Sequence, residues 1–230
     1  GERRRRLARE QLDHHGTGRV LFRNSRENIE GFPPRRLTTY ALPLPERYRE
    51  RAAESSVAAC LTPERGLGEE WPSIDPRVDW LAEWLKTHRS DKTLVICADA
   101  GTAQDIEALL RLRRGLRTAV FHEGLDLVQR DRAAAYFADP EEDCSALVCS
   151  EIGSEGRNFQ FARHLVLFDV PANPDLLEQR IGRLDRIGQQ HTVEIHVPLF
   201  TDSAQAVLVR WLHEGIDAFE HICPAGPALF

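Results

Sequence analysis

From residue 77 onward the chain alternates between two kinds of segment. Short, continuously apolar runs lie at 93–98, 118–122, 146–150, 164–169 and 193–199. Between and after them lie amphipathic stretches at 77–89, 103–114, 127–138, 174–187 and 203–221, the first with Val78, Leu81, Trp84 and Leu85 at helical spacing. A strand that is apolar on both faces has to be covered on both faces, and helical crossovers between such strands make them parallel. The pattern predicts an α/β domain with a mostly parallel sheet covered by helices on both sides. Ligands of such sheets bind beyond the carboxyl ends of the strands, where His122, Ser150 and Asp169 fall.

Upstream the pattern is different. Gly31, Pro33, Pro34, Pro43 and Pro45 bracket an alternating short strand, Arg36–Leu42. An Ala- and Arg-rich helix is expected over 46–60 and a Gly/Pro loop over 62–76. Three regions follow: a linker with a helical segment and a short strand (1–62), a loop (63–76) and the main α/β lobe (77–230). The 230 residues are 42% apolar, enough for a substantial core. The formal charge of −6 excludes a bulk polycation, so any nucleic-acid contact has to come from local patches. The four arginines Arg3–Arg6 make either a solvated linker end or such a phosphate-contacting strip. Lys86 and Lys92 are the two lysines, and the five cysteines show no metal-ligand spacing. Cys97 and Cys149 fall inside apolar strands, as buried reduced thiols do. No 18-residue apolar run and no signal peptide occur, so a soluble, cytoplasmic chain without membrane contact is expected. A chain starting at Gly1 in a charged segment is expected to be one domain of a longer protein.

The segment Gln179–Gln189 carries the most chemistry. Asn173-Pro174-Asp175 has the form of a helix start, with Asn as cap and Pro at the first position. On a helix over 174–187, Gln179, Arg183 and Arg186 share one face, and Leu177, Ile181 and Leu184 form the opposite, buried stripe. Arg180 flanks the cationic face and is expected to matter less than Arg183 and Arg186. Two arginines one turn apart give a permanently charged fork, suited to the charge that grows on phosphoryl oxygens during transfer. Gly153 and Gly156, in a polar loop after a buried strand, allow close approach of backbone to a phosphate, and Ser154 can donate to it. His122-Glu123-Gly124 has no second histidine at helical spacing, so no metal site is expected there. Asp126 is the expected cap of the next helix, whose Gln129 and Arg130 are positioned to hold the loop. Trp71, Trp80, Trp84 and Trp211 fit core stripes rather than base-stacking platforms.

The order of these segments resembles the superfamily-two helicases, and most closely the Swi/Snf-type DNA translocases. Gln179-x-x-x-Arg183-x-x-Arg186-x-Gly188-Gln189 looks like motif VI. Ser150–Asn158 looks like motif V, Phe121–Gly124 with Gln129–Arg132 like the motif before it, and Leu94–Ala98 like motif IV. His14–Asn24 and Phe161–His164 resemble the bacterial, RNA polymerase-associated branch of the family. Two departures from the eukaryotic pattern fit that branch: Asp185 stands where histidine is usual, and motif V is one residue shorter. The resemblance implies a RecA-like (P-loop NTPase-like) three-layer lobe. It also implies arginine fingers from Arg183 and Arg186 with Gln179 beside them, and nucleotide contacts from Glu155, Gly156, Arg157 and Asn158. Nucleic-acid backbone would be met by His122, Glu123, Gly124, Gly153 and Ser154. The implied cofactors are ATP and Mg²⁺; the implied partners are core RNA polymerase, double-stranded DNA and a first RecA-like lobe. No Gly-x-x-x-x-Gly-Lys-Ser/Thr loop and no acidic Mg²⁺ motif occur here, so ATP would be held mainly by that first lobe. A DEAD-box-type RNA helicase lobe and a non-catalytic polymerase-docking module are the alternatives.

Overall fold

The computed structural model describes residues 32–53, 55–151 and 158–221. The expected features at Arg3–Arg6, His14–Asn24 and 152–157 lie outside them. Six strands form one sheet: β1 (Arg35–Leu42), β2 (Thr93–Cys97), β3 (Thr118–Phe121), β4 (Ala146–Ser150), β5 (His164–Leu167) and β6 (Val193–Phe200). Their order is β1-β6-β5-β2-β4-β3, and every pairing is parallel. The central strands are buried along their whole length, as their unbroken apolar runs require.

Helices cover both faces. α1 (Glu46–Ala52), α2 (Val57–Leu61) and α3 (Trp71–Ile74) precede the main lobe, whose helices are α4 (Pro76–Thr87), α5 (Ala100–Arg114), α6 (Leu127–Ala138), α7 (Pro174–Ile181) and α8 (Ala204–Arg210). Val78, Leu81 and Leu85 of α4 and Ile106 and Leu110 of α5 pack with Val95, Val148, Val166 and Phe168 on one face. Phe137 of α6, Leu177 and Ile181 of α7 and Val209 of α8 pack with Ile96, Leu147, Leu165 and Ile195 on the other. Adjacent strand residues therefore feed separate cores, the period of two expected of a sheet between helical layers.

The structure differs from the sequence pattern in four places. α7 stops at Ile181 instead of residue 187: Gly182 is its C-cap, and the chain turns from there to Gly188, whose φ is 98°. The expected 46–60 helix breaks, and Ser56 caps a new start by accepting from Ala59 N. The 62–76 stretch coils into short helical turns that bury Glu64, Trp71 and Asp75. After α8 the chain winds into a π-turn over Trp211–Gly215 instead of continuing as α-helix to 221. β1 lies at the edge of the lobe's own sheet, paired with β6 from Arg35↔Val193 to Leu42↔Phe200.

A fully buried arginine fastens the upstream segment to the lobe. Arg77 donates to Asp75, to Glu64 Oε2 (2.8 Å) and to the Phe168 carbonyl (3.1 Å), and lies 4.2 Å from the Phe168 ring centroid. Burial alone lowers the basicity of Arg77, but Asp75 and Glu64 outweigh it and hold the guanidinium above its ordinary value. Burial pushes Glu64 up in spite of Arg77. Such a set is costly to break and does not face solvent, so Arg77 is scaffold.

Candidate functional site

An open cleft of about 750 Å³ is lined by Phe32, Asn158, Gln160, Gln179, Gly182, Arg183, Asp185, Arg186 and Ile187. Three features of the sequence build it. Asn173 caps α7 by accepting from Asp175 N at 2.8 Å, and Leu177, Ile181 and Leu184 are fully buried. Gly182 ends the helix, so the arginines lie on a compact turn and not on a helical face. The turn is fixed to the segment entering β5: Phe159 N donates to the Arg183 carbonyl (2.9 Å), and Gln189 Nε2 donates to the Ala162 carbonyl (2.9 Å). Gln179, Arg183 and Arg186 thus share a cleft by a different geometry from the expected i, i+4, i+7 stripe. Arg183 is 7% exposed, whereas Arg186 is exposed and donates from Nε to the Gly182 carbonyl at 2.8 Å.

Arg180 corrects the sequence reading most. It is 2% exposed and faces away from the cleft, into the carboxyl ends of the strands. Its Nη1 donates to the Asp169 carbonyl (2.7 Å) and to Asp169 Oδ1 (3.0 Å); its Nη2 donates to Glu151 Oε2 (2.5 Å). Asp169 Oδ2 accepts from Ala98 N at 2.6 Å, so one guanidinium ties together the ends of β2, β4 and β5. Burial lowers the basicity of Arg180, but Asp169 and Glu151 outweigh it and leave the pKa raised. Far from a spare charge beside the cationic face, it is the clamp that holds Glu151 at the end of β4. Helical spacing does not show this role, because Arg180 sits between the polar and the apolar stripes of α7 and its carboxylate partners lie 11 and 29 residues away. The acidic residues Glu151 and Asp169, each just past an apolar strand, were the available signal.

The loop after β3 is a second strand-end feature. The His122 ring is buried; its Nδ1 accepts from Gly124 N (3.1 Å), and its Nε2 meets the Gln104 amide at 2.8 Å. A Cβ on Gly124 would sit 3.0 Å from that ring, so glycine is needed for the close approach. Ser150 donates to Glu123 Oε2 at 2.6 Å, and this bond holds the Glu123 carboxyl below its usual range. Asp126 and Gln129 form a reciprocal cap on α6, and Arg130 donates to the carbonyls of Leu125 and Glu123. The imidazole therefore braces the loop from within, and Glu123 and Gly124 are its exposed residues. Gly153, Ser154, Glu155, Gly156 and Arg157 lie outside the described residues. Asn158 lines the cleft and orders its surroundings through Gln160 N, which donates to Asn158 Oδ1 at 3.0 Å.

Among the described residues no group of three His, Cys, Asp or Glu side chains is placed to hold a metal ion. Four described cysteines are free thiols, and burial pushes Cys144 up to about 11 and Cys97 well above its ordinary value. Such thiols are poor nucleophiles and poor metal ligands. No described helix is long and apolar enough to cross a membrane.

The parallel sheet in this strand order, with an arginine turn opening on a cleft, defines a RecA-like helicase lobe. Two solved structures share the fold at a TM-score of 0.52: the C-terminal part of the Fun30 ATPase domain (22% identity, covering 62% of this chain and 47% of that one) and S. cerevisiae Dbp5 bound to RNA and ADP BeF3 (19% identity, covering 60% and 35%). Residues 76–188 match the helicase conserved C-terminal domain family, and residues 192–230 match the RNA polymerase recycling family C-terminal region. The chain is 56% identical, over 99% of its length, to the RNA polymerase-associated protein RapA of Sodalis glossinidius (strain morsitans), and it spans 25% of that relative. Residues 76–188 are thus similar to the helicase C-terminal domain family, and the chain as a whole resembles a lobe of the RapA type.

Proposed function

We propose that this chain is the second motor lobe of an ATP-dependent, double-stranded DNA translocase that associates with core RNA polymerase and supports its recycling in transcription. The observation that carries the reading is the cleft in which Gln179, Arg183 and Arg186 converge on a turn anchored from both sides. Its permanent cations and amide side chains are a donor set for phosphate oxygens. They fit the polyphosphate of a nucleotide and offer no described acidic cluster for its Mg²⁺. The phosphate cradle and the metal ligands therefore belong to a first RecA-like lobe in the same protein. Bound between the lobes, Mg²⁺-ATP supplies the scissile anhydride. Arg183 and Arg186 then stabilise the charge that grows on its oxygens, Gln179 orients them, and the 151–158 loop contributes Glu155, Gly156, Arg157 and Asn158 on the nucleotide side.

DNA backbone meets another set of residues in this reading: the braced loop His122–Gly124, together with Gly153 and Ser154. His122 acts there by shaping the loop, and exposed Gly124 lets a phosphate approach. Opening and closing of the two lobes moves the protein along the duplex. Likeness to RapA, together with the match of residues 192–230, supports polymerase as partner and the bacterial cytoplasm as its place.

The test is ATP turnover by the full-length protein that contains this lobe, with and without duplex DNA. Arginines of this kind contribute roughly 10³–10⁵ in rate. Arg183→Ala and Arg186→Ala should each remove most of the DNA-stimulated turnover while ATP affinity holds. The isolated chain should show none. Turnover by the isolated chain, or full turnover in both variants, would end this reading.

A further inference from the structure

Asp185 departs from the eukaryotic pattern, and the motor reading gives it no task. Asp185 belongs to the lining of the same cleft as Arg183 and Arg186, two residues after one and immediately before the other. A carboxylate so placed competes with phosphate for a guanidinium. Glu178, next to Gln179, adds a second one. Both are held by a residue far away in sequence. Arg35, the first residue of β1, donates from Nε to Asp185 Oδ2 at 2.6 Å. Its two terminal nitrogens donate to Glu178 Oε2 (2.7 Å) and Oε1 (2.6 Å), a two-pronged pairing that lysine cannot reproduce. The Arg35 and Asp185 side chains are each 1% exposed, and that of Glu178 is 31% exposed. Burial lowers the basicity of Arg35, but Glu178 and Asp185 outweigh it and hold it protonated.

We infer that Arg35 is a positioning residue for the arginine cleft. It engages Glu178, in the last turn of α7, and Asp185, inside the Gly182–Gly188 turn, and so fixes the turn that presents Arg186 to a phosphate. The inference rests on the motor reading above. It adds a specific structural coupling: β1, locked in register to β6 from Arg35↔Val193, sets the geometry of the cleft. Arg35 itself does not touch the nucleotide.

The experiment is a set of variants in the full-length protein, with DNA-stimulated kcat and the KM for ATP measured separately. Arg35→Gln removes the guanidinium that Glu178 and Asp185 share. Misplacement on this scale lowers kcat about ten- to a hundredfold, and KM should stay nearly unchanged. The variant that combines Arg35→Gln with Glu178→Gln and Asp185→Asn removes the competing charges as well and should regain most of that loss. Urea titration of both variants separates this from a merely structural role, in which the loss and recovery of kcat would follow the folded fraction. An unchanged kcat in Arg35→Gln, or a combined variant as impaired as the single, overturns the inference. If Arg35→Gln fails to fold, Arg35→Lys decides: it keeps the charge but not the fork, and an undiminished kcat overturns the inference equally. Arg186→Ala, run alongside, separates the two levels. If it retains full turnover the motor reading falls; if it is impaired while the Arg35 series is flat, only the role of Arg35 falls.

Discussion

Arg180 and Arg186 stand six residues apart in one segment and have opposite surroundings. Arg180 is enclosed, with Asp169 and Glu151 taking up its donors and three strand ends depending on it. Arg186 is exposed at the rim of an open cleft, its Nε fixed to the Gly182 carbonyl. The same functional group thus serves as a clamp in one place and as a presented cation in the other. What separates them is not charge but the direction of the chain after Gly182. On an unbroken helix the two would be 600° apart, which is 240° around the axis; here a turn intervenes instead. Residue type alone therefore says little about whether an arginine is mechanistic, and the carboxylates at strand ends say more.

The sharpest way to break this contrast is to remove Arg180. Arg180→Ala leaves Asp169 and Glu151 without their cation at a buried junction. Losing one partner of a buried pair costs about 3–5 kcal/mol. The expected result is a lobe largely unfolded, or with a much lower midpoint, in urea titration followed by circular dichroism. A variant as stable as the parent would show that the clamp carries no weight. Arg186→Ala sets the other side of the comparison. It leaves no cavity and should change stability by under about 0.5 kcal/mol, while DNA-stimulated kcat of the full-length protein falls by about 10³. If the two variants behaved alike in both measurements, the distinction between clamp and cleft would be lost.

How far this was legible in the sequence depends on the kind of interaction. Unbroken apolar runs such as Leu94–Cys97 and Leu147–Cys149 placed the strands to within a residue or two, because burial on both faces leaves a one-dimensional trace. The caps at Asn173 and Asp126 were equally visible, since they act over three residues. The polar spacing of the segment does not mark Gly182 as a helix stop, so it puts Arg183 and Arg186 on a helix that ends before them, and nothing local to Arg180 shows its partners, 11 and 29 residues away. Arg35 went unnoticed for a different reason. Its partners are 143 and 150 residues away, and nothing local announces a contact of that range. β1 likewise read as an isolated strand, because an edge strand pairs with a partner that only the fold supplies.

A third buried polar group tests whether paired burial is what sustains Arg180. His196 Nε2 lies 3.0 Å from His164 Nδ1, and its own Nδ1 lies 3.0 Å from the Tyr40 hydroxyl. Burial drives the pKa of His196 down to about 3 and lowers that of His164; Glu194 and Asp91 oppose this but do not overcome it. Here burial without sufficient counter-charge acts against the cation, the reverse of Arg180. A histidine with a depressed folded pKa stays neutral in the native state while the unfolded chain takes up a proton below about 6.5. The unfolded state then binds more protons, so stability falls as pH drops from about 6.5 toward 3. Between pH 7 and 5.5, where carboxylates barely titrate, the loss from His196 should be about 1 kcal/mol. Denaturant titration at the two pH values measures it, and His196→Asn should shrink the difference. Stability that rises on acidification would contradict the burial argument.

The smallest expected effect puts the comparison on two adjacent residues. At the end of β4, Glu151 is held by the Arg180 guanidinium, whereas Ser150 holds Glu123 through a neutral hydroxyl at 2.6 Å. Glu123 is exposed, so solvent screens most of what that bond could contribute, and Ser150→Ala should cost under about 1 kcal/mol at pH 7. The bond lowers the Glu123 pKa, so its stabilising share is present above the ordinary carboxylate pKa and vanishes as pH falls through the depressed folded value. Parent and variant should therefore differ measurably at pH 7 and converge as acidification protonates the carboxyl in both. A difference that persists unchanged at pH 3 would mean that the hydroxyl acts through another contact and that the Glu123 carboxylate is not what it stabilises. Convergence, set beside a loss of several kcal/mol in Arg180→Ala, would show that a neutral donor and a guanidinium, one residue apart, hold their carboxylates with different energies, as the deeper burial of the Arg180 pair requires.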